Sequence, residues 1–179
     1  MRGSAAPVMT EAMEIRIAGV VEESFVDGPG IRFTVFVQGC PHRCEGCHNP
    51  ETHDFNGGRI VDTDELFEQC CANPLINGVT FSGGEPFCQA AALYELGCRF
   101  KERGLNLMCY SGWTFEELLE KSRSEKDVKD LLSITDYLVD GRFELSQRSL
   151  GLKFRGSTNQ RIIDVQKSLF ENIVVLVDL

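Results

Sequence analysis

The chain has no apolar run that could cross a membrane. Its longest near the end, Ile173 to Val177, falls far short of the roughly 20 residues a spanning helix needs. Met1 to Glu14 lacks the apolar centre of a secretion signal, which predicts a cytoplasmic protein. Positive charge is scarce: 18 Lys and Arg stand against 27 Asp and Glu, a net −9. That balance excludes nucleic acid as an ionic partner, because phosphate binding needs a basic surface. Repeats, linkers and low-complexity tracts are also missing. With 42% hydrophobic and 25% charged residues, the expectation is one soluble domain over residues 14–179, preceded by a flexible tail or added residues at 1–13.

The shortage of cations is uneven. Arg142, Arg148, Lys153, Arg155, Arg161 and Lys167 are opposed over that stretch only by Glu144 and Asp164. A solvated face is the ordinary reading of such a run; a docking surface for an acidic redox partner is the sharper one. Cysteine, by contrast, is plentiful, at eight in 179 residues. Without an export signal this count points to metal or redox chemistry and away from disulfides.

Ile15 to Val20 and Ile31 to Val37 read as strands, separated by the turn Asp27-Gly28-Pro29-Gly30. An irregular stretch, Gly39 to Arg59, then holds three cysteines and all three histidines. A helix begins at Thr63, its expected cap, and runs to about Ala72. Strands at Gly78 to Phe81, Leu105 to Tyr110 and Ile134 to Val139 alternate with helices at Gln89 to Arg103, Thr114 to Lys121 and Val128 to Leu132. Such alternation implies a parallel α/β sheet. Ile173 to Val177 reads equally as a last strand or a segment closing the core. Ligands in parallel folds sit at the C-terminal ends of strands. That rule brings together four loops: Gln38 to Asn49, Ser82 to Pro86, Ser111 to Trp113 and Asp140 to Phe143.

Cys40, Cys44 and Cys47 are spaced to wrap one compact object. A cubane iron–sulfur cluster normally takes four cysteines, so three would leave one iron open to an outside amine and carboxylate. A Cys₃His zinc site with His42 or His48 is the first alternative, although no second cysteine knuckle is present. A closed cluster with a fourth cysteine is another. Cys70, Cys71, Cys98 and Cys109 fall in predicted helices or strands, leaving Cys88 as the one placed near a site loop.

The cysteine spacing resembles that of the radical S-adenosylmethionine superfamily. Ser82-Gly83-Gly84-Glu85 resembles its glycine-glycine-glutamate motif, in which backbone and carboxylate hold the amino group of the methionine moiety. Asp27 to Arg32, Leu138 to Phe143 and Arg155 to Gln160 are similar to segments of the glycyl-radical-enzyme activases, in particular those acting on anaerobic ribonucleoside-triphosphate reductase. Cys44-Glu45-Gly46-Cys47 has glycine where many relatives place an aromatic. The resemblance implies a partial, open βα barrel, since the chain is short for the ~250 residues of a closed one. It further implies a 4Fe-4S cluster on Cys40, Cys44 and Cys47, with S-adenosylmethionine beside Gly46, Cys47, His48, Ser82, Gly83, Gly84 and Glu85. Asp140 and Arg142 are candidate contacts, with a strand-end ion pair as the plainer reading; Arg155 and Asn159 are weaker ones. The implied partners are a glycyl radical enzyme and a flavodoxin- or ferredoxin-like electron donor. Activases of pyruvate formate-lyase resemble the chain too, but carry an aspartate-containing strand end where Cys109 to Trp113 stands. His42 and His53 read as plain loop histidines, and Trp113 as packing.

Overall fold

The computed structural model describes residues 12–179; the expected tail at 1–13 lies almost entirely outside them. Strands β1 (Glu14–Ser24) and β2 (Arg32–Val37) form an antiparallel pair. After the long loop come β3 (Arg59–Asp62), α1 (Thr63–Cys71), β4 (Gly78–Gly83), α2 (Ala90–Glu102), β5 (Asn106–Tyr110), α3 (Phe115–Lys121), α4 (Lys126–Ile134), β6 (Tyr137–Asp140), β7 (Arg161–Asp164) and α5 (Val165–Glu171). They build one seven-stranded sheet in the order β3-β1-β2-β4-β5-β6-β7. The centre, β2-β4-β5-β6, is parallel. The flanking pairs β1-β3 and β6-β7 are antiparallel.

Side chains alternate across a strand, and here the two faces differ in character. Phe33, Val35, Val37, Val79, Phe81, Leu107, Cys109, Leu138 and Ile163 point to one side. There they share a core with Leu66, Leu93, Leu96, Phe100, Leu118 and Leu131 of the helices. Each such buried side chain contributes about 1.5–3 kcal/mol. The other face carries Arg32, Thr34, Thr80, Ser82 and Tyr110, with a small apolar cluster of Met108, Val139 and Ile162. One face therefore holds the helices, and the other carries most of the polar strand residues.

The polar face is braced by Arg32, which is fully buried without a carboxylate. Its guanidinium donates to Thr80 Oγ1 at 2.6 Å, Val79 O at 2.6 Å, Asn106 Oδ1 at 2.8 Å and Pro29 O at 3.1 Å. Burial pushes its pKa down to about 10, so it stays charged at neutral pH. The Asp27-to-Arg32 motif is thus a tie between the β1–β2 turn and the starts of β4 and β5. Gly28 is required in it: a Cβ there would lie 2.6 Å from Arg32 Cδ.

Several expectations are corrected. Asp62, not Thr63, caps α1, its carboxylate accepting from Asp64 N at 2.7 Å, while Thr63 Oγ1 accepts from Met13 N. Strands β3 and β7 and helix α5 were not foreseen. Residues 173–177 form no named strand but lie along β7 through the bridge Ile163 to Leu176, with Val174 and Val177 packed against the two apolar clusters and Leu176 62% exposed, which is nearer the core-closing segment than the last strand. Strands β3 and β7 have matching sequences, Arg-Ile-Val-Asp and Arg-Ile-Ile-Asp, and in both the final aspartate caps the helix that follows.

Candidate functional site

The C-terminal ends of β2, β4, β5 and β6 open onto one cavity of about 460 Å³. Cys40, Cys44, Cys47 and His48 form one wall, Ser82, Gly83 and Gly84 another, and Ser111, Gly112 and Gly141 a third. The four loops named from the sequence therefore converge. None of the other five cysteines lines this cavity: Cys70 and Cys109 are buried in the core, and Cys88 borders a separate hollow with Gln89 and Lys126.

Two left-handed residues, Arg43 (φ 49°) and Gly46 (φ 70°), wrap the cysteine loop. Cys47 N donates to Cys44 O, and Asn49 N to the Cys47 sulfur at 3.4 Å. A Cβ on Gly46 would lie 2.9 Å from Leu145 Cδ1, so glycine lets the 142–160 segment close on the loop. His48 packs its ring on Phe143 at 4.9 Å. Burial pushes the Cys40 and Cys47 thiols above their usual pKa, so their thiolates need a cation beside them, as a bound metal provides. Among the described residues no three His, Cys, Asp or Glu side chains converge on a single-ion position. Three thiols on one wall of a roomy cavity suit a multi-iron cluster, and the donor set fits it.

The glycine turn is stitched to this loop. Gly84 N donates to Val37 O and Glu85 N to Gly39 O, both at 2.8 Å, extending the β2–β4 pairing past the strands. Gly83 sits at φ 95°, and a Cβ on Gly84 would stand 2.4 Å from Gly39 O. Gly84→Ala is thus expected to push Gly39 and Cys40 off their positions, costing at least the ~1–3 kcal/mol of overpacking. Iron content per chain after anaerobic reconstitution, with a thermal melt, measures this; wild-type uptake and stability would contradict it.

Glu85 makes contacts that the motif resemblance does not imply. It is fully buried and does not line the cavity. Its carboxylate accepts from Ser111 Oγ at 3.1 Å, Gly112 N at 2.9 Å and Phe87 N at 3.1 Å, and pairs with His42 Nε2 at 2.8 Å. His42, read from sequence as a plain loop residue, lies between Cys40 and Cys44, so this carboxylate ties the cysteine loop to the β5–α3 turn. Trp113 packs edge-on against the His42 ring at 4.7 Å, with Lys121 Nζ above its own face. Nothing in the local sequence marks this link across 43 positions.

Asp140 and Arg142 are not brought together. Asp140 is buried and paired with Arg161 through both carboxylate oxygens, while also accepting from Phe115 N at 2.8 Å. Arg142 is half exposed and reaches toward Glu117 at 3.6 Å. Neither lines the cavity; Gly141 between them does. The strand-end ion pair is real, but its cation comes from β7. The Arg155-to-Gln160 motif serves as stitching: Gln160 Oε1 accepts from Gly156 N at 2.9 Å, and Gln160 Nε2 donates to Gly141 O at 3.0 Å.

Arg161 also grips Glu116, and that hydrogen bond holds the Glu116 carboxyl below its usual pKa. A depressed folded value means the stabilisation is present above the unfolded pKa of about 4.3 and fades as pH falls through the folded one. Arg161→Gln should lower Tm by several degrees at pH 7, and the gap to wild type should narrow below about pH 4. Melts at both pH values check this, and a constant gap would refute it.

A family profile described as a 4Fe-4S single cluster domain matches residues 26–163. The anaerobic ribonucleoside-triphosphate reductase-activating protein of Vibrio cholerae is 35% identical over 146 residues, covering 76% of this chain and 90% of that one. Its namesake from Enterobacteria phage T4 is 30% identical, covering 77% and 86%. The pyruvate formate-lyase-activating enzyme of Clostridium pasteurianum is 38% identical over 114 residues; the match spans 59% of this chain and about half, 48%, of that enzyme. The crystal structure of QueE from Escherichia coli overlaps with a TM-score of 0.45 at 15% identity, covering 56% of this chain and 53% of that one, too loosely to carry a conclusion. With a single-cluster profile over most of its length and relatives of this kind, the chain belongs to the 4Fe-4S radical S-adenosylmethionine activases of glycyl radical enzymes.

Proposed function

We propose that this protein activates an anaerobic ribonucleoside-triphosphate reductase by installing a glycyl radical on it. The observation that carries the reading is the convergence of three cysteines, the glycine turn after β4 and the turn after β5 on one cavity. Relatives of matching length bear the name of that activity. Cys40, Cys44 and Cys47 would hold the cluster, leaving one iron for S-adenosylmethionine. The chemistry such a cluster supplies when bound is one-electron cleavage of the sulfonium, which frees methionine and a 5′-deoxyadenosyl radical able to take hydrogen from a glycine Cα.

The chain's own part is orientation and exclusion of water. Ser82, Gly83 and Gly84 present backbone to the methionine end of the cofactor, the missing side chains of the two glycines allowing close approach. Cys47, His48 and Gly141 form the neighbouring surface, with Gly46 turning the loop outside the cavity lining, while Glu85 and Asp140 act from behind the wall and Arg142 from its rim. No side chain is needed as acid or base. In this reading the sheet is a partial βα barrel whose open side admits a loop of a larger protein. The protein is a single cytoplasmic domain with no nucleic-acid or membrane partner; no helix among the described residues is long and apolar enough to cross a membrane. The cation-rich 142–167 stretch receives an acidic flavodoxin- or ferredoxin-like donor.

The test is anaerobic: reconstitute, reduce, add S-adenosylmethionine, and follow 5′-deoxyadenosine together with the electron paramagnetic resonance doublet of a glycyl radical. Anaerobic reductase and pyruvate formate-lyase are supplied in turn. A doublet on the reductase supports the proposal. A doublet on pyruvate formate-lyase alone moves the assignment to that enzyme. A colourless protein holding one zinc sinks it.

A further inference from the structure

Among the described residues, one that borders the cavity, His53, carries a ring nitrogen that is buried without a hydrogen-bond partner. His53 follows the short 3-10 turn Pro50–Thr52. Gly39 N donates to Thr52 O at 2.8 Å and Cys40 N to His53 O at 3.3 Å, so the His53 backbone is bonded to that of the first cysteine. The residue borders the cavity that Cys40, Cys44 and Cys47 line, and its Nε2 is buried without a hydrogen-bond partner. The other two histidines are engaged, His42 on Glu85 and His48 against Phe143. Buried polar atoms without partners are few in native proteins, and an unfilled ligand position is a common reason for one.

We propose that His53 is a positioning residue for the cluster: its Nε2–H donates to a sulfur at the Cys40 corner. Cysteine sulfurs and bridging sulfides accept such bonds, and donation to them is one of the levers that set a cluster's potential. The bond favours the reduced state, because reduction adds negative charge to the sulfurs. The proton stays on the imidazole, and the ring accepts no electron. Backbone pairing to Cys40 anchors the main chain of His53 beside that cysteine, which a residue on a free loop would lack. The sequence alone marks His53 as one more loop histidine; its signal is the unfilled nitrogen.

This inference rests on the 4Fe-4S reading, and its test separates the two. Wild type, His53→Phe and His53→Gln are reconstituted anaerobically and matched for iron and sulfide. Phenylalanine keeps the ring and removes the donor; glutamine places an amide N–H near the position of Nε2. Midpoint potentials are measured by redox titration, and protein labelled with ¹⁵N-histidine is examined by pulsed electron paramagnetic resonance in the reduced state. The expected result is a more negative potential in His53→Phe, return toward wild type in His53→Gln, and loss of a histidine ¹⁵N coupling in both. An unchanged potential in His53→Phe, or a histidine ¹⁵N spectrum identical in wild type and His53→Gln, overturns the proposal. Should His53→Phe take up no cluster, the ¹⁵N comparison of wild type with His53→Gln decides alone. Wild type that binds no cluster would instead defeat the functional reading.

Discussion

Cys40→Ala is expected to empty the protein of iron and to cut 5′-deoxyadenosine formation by more than the ~10- to 100-fold that losing a ligand's supporting partner costs. Cys40 begins the loop, and its backbone is fixed independently of its sulfur by the bonds to His53 O and from Glu85 N to Gly39 O. A buried free cysteine behaves as a small apolar residue, so the metal-free variant should melt close to metal-free wild type. Loss of product with intact folding isolates the ligand role. Cys88→Ala is the informative partner: Cys88 borders a different hollow, so iron content and product should both survive. Loss of iron in Cys88→Ala would revive the closed, four-cysteine cluster and with it a non-catalytic module.

Glu85→Ala should produce the largest loss of stability. It removes the acceptor for Ser111 Oγ, Gly112 N and Phe87 N and strands His42, all in the interior. Removing one member of a buried pair costs on the order of 3–5 kcal/mol, which for a chain of this size lowers Tm by roughly 10 °C. Glu85→Gln keeps one oxygen but turns an amide N–H₂ toward groups that are themselves donors, so an intermediate loss is expected. Its affinity for S-adenosylmethionine separates two roles. If Glu85 works from behind the wall, Glu85→Gln that has loaded full iron should bind the cofactor nearly as well as wild type. A loss of ~100-fold or more, the scale of about 2.8 kcal/mol, would return the carboxylate to direct contact, as the motif resemblance implies.

The central strands were legible because each is a run of β-branched or aromatic residues closed by glycine or polar turn residues, as in Arg32–Val37 and Gly78–Gly83. The start of the helix expected at Thr114 was equally readable; the structure makes Thr114 its cap, in a full capping box with Glu117. Strands β3 and β7 escaped because four residues show no period, and because strand–helix alternation predicts only parallel neighbours. Within the site, the cysteine loop and glycine turn were visible as spacing. The partner of Asp140 was not: Arg142 is only two residues on, but β6 ends at Asp140 and Gly141 (φ 94°) turns the chain, sending Arg142 toward Glu117, and the cation came from an antiparallel strand too short to show a period. The same applies to His42, whose role depends on a carboxylate delivered by another strand.

The matched tetrapeptides at the sheet's two margins bear on how the molecule avoids sticking to its own kind. A bare strand margin is a template for cross-chain pairing, and proteins blunt it with brevity, charge or cover. Strand β3 offers four residues that begin in Arg59 and end in Asp62. Strand β7 is bracketed in the same way, and its outward side is occupied: Asp164 N donates to Val175 O and Val177 N to Ile162 O. Pairing of one copy with another through these two short strands is thus disfavoured.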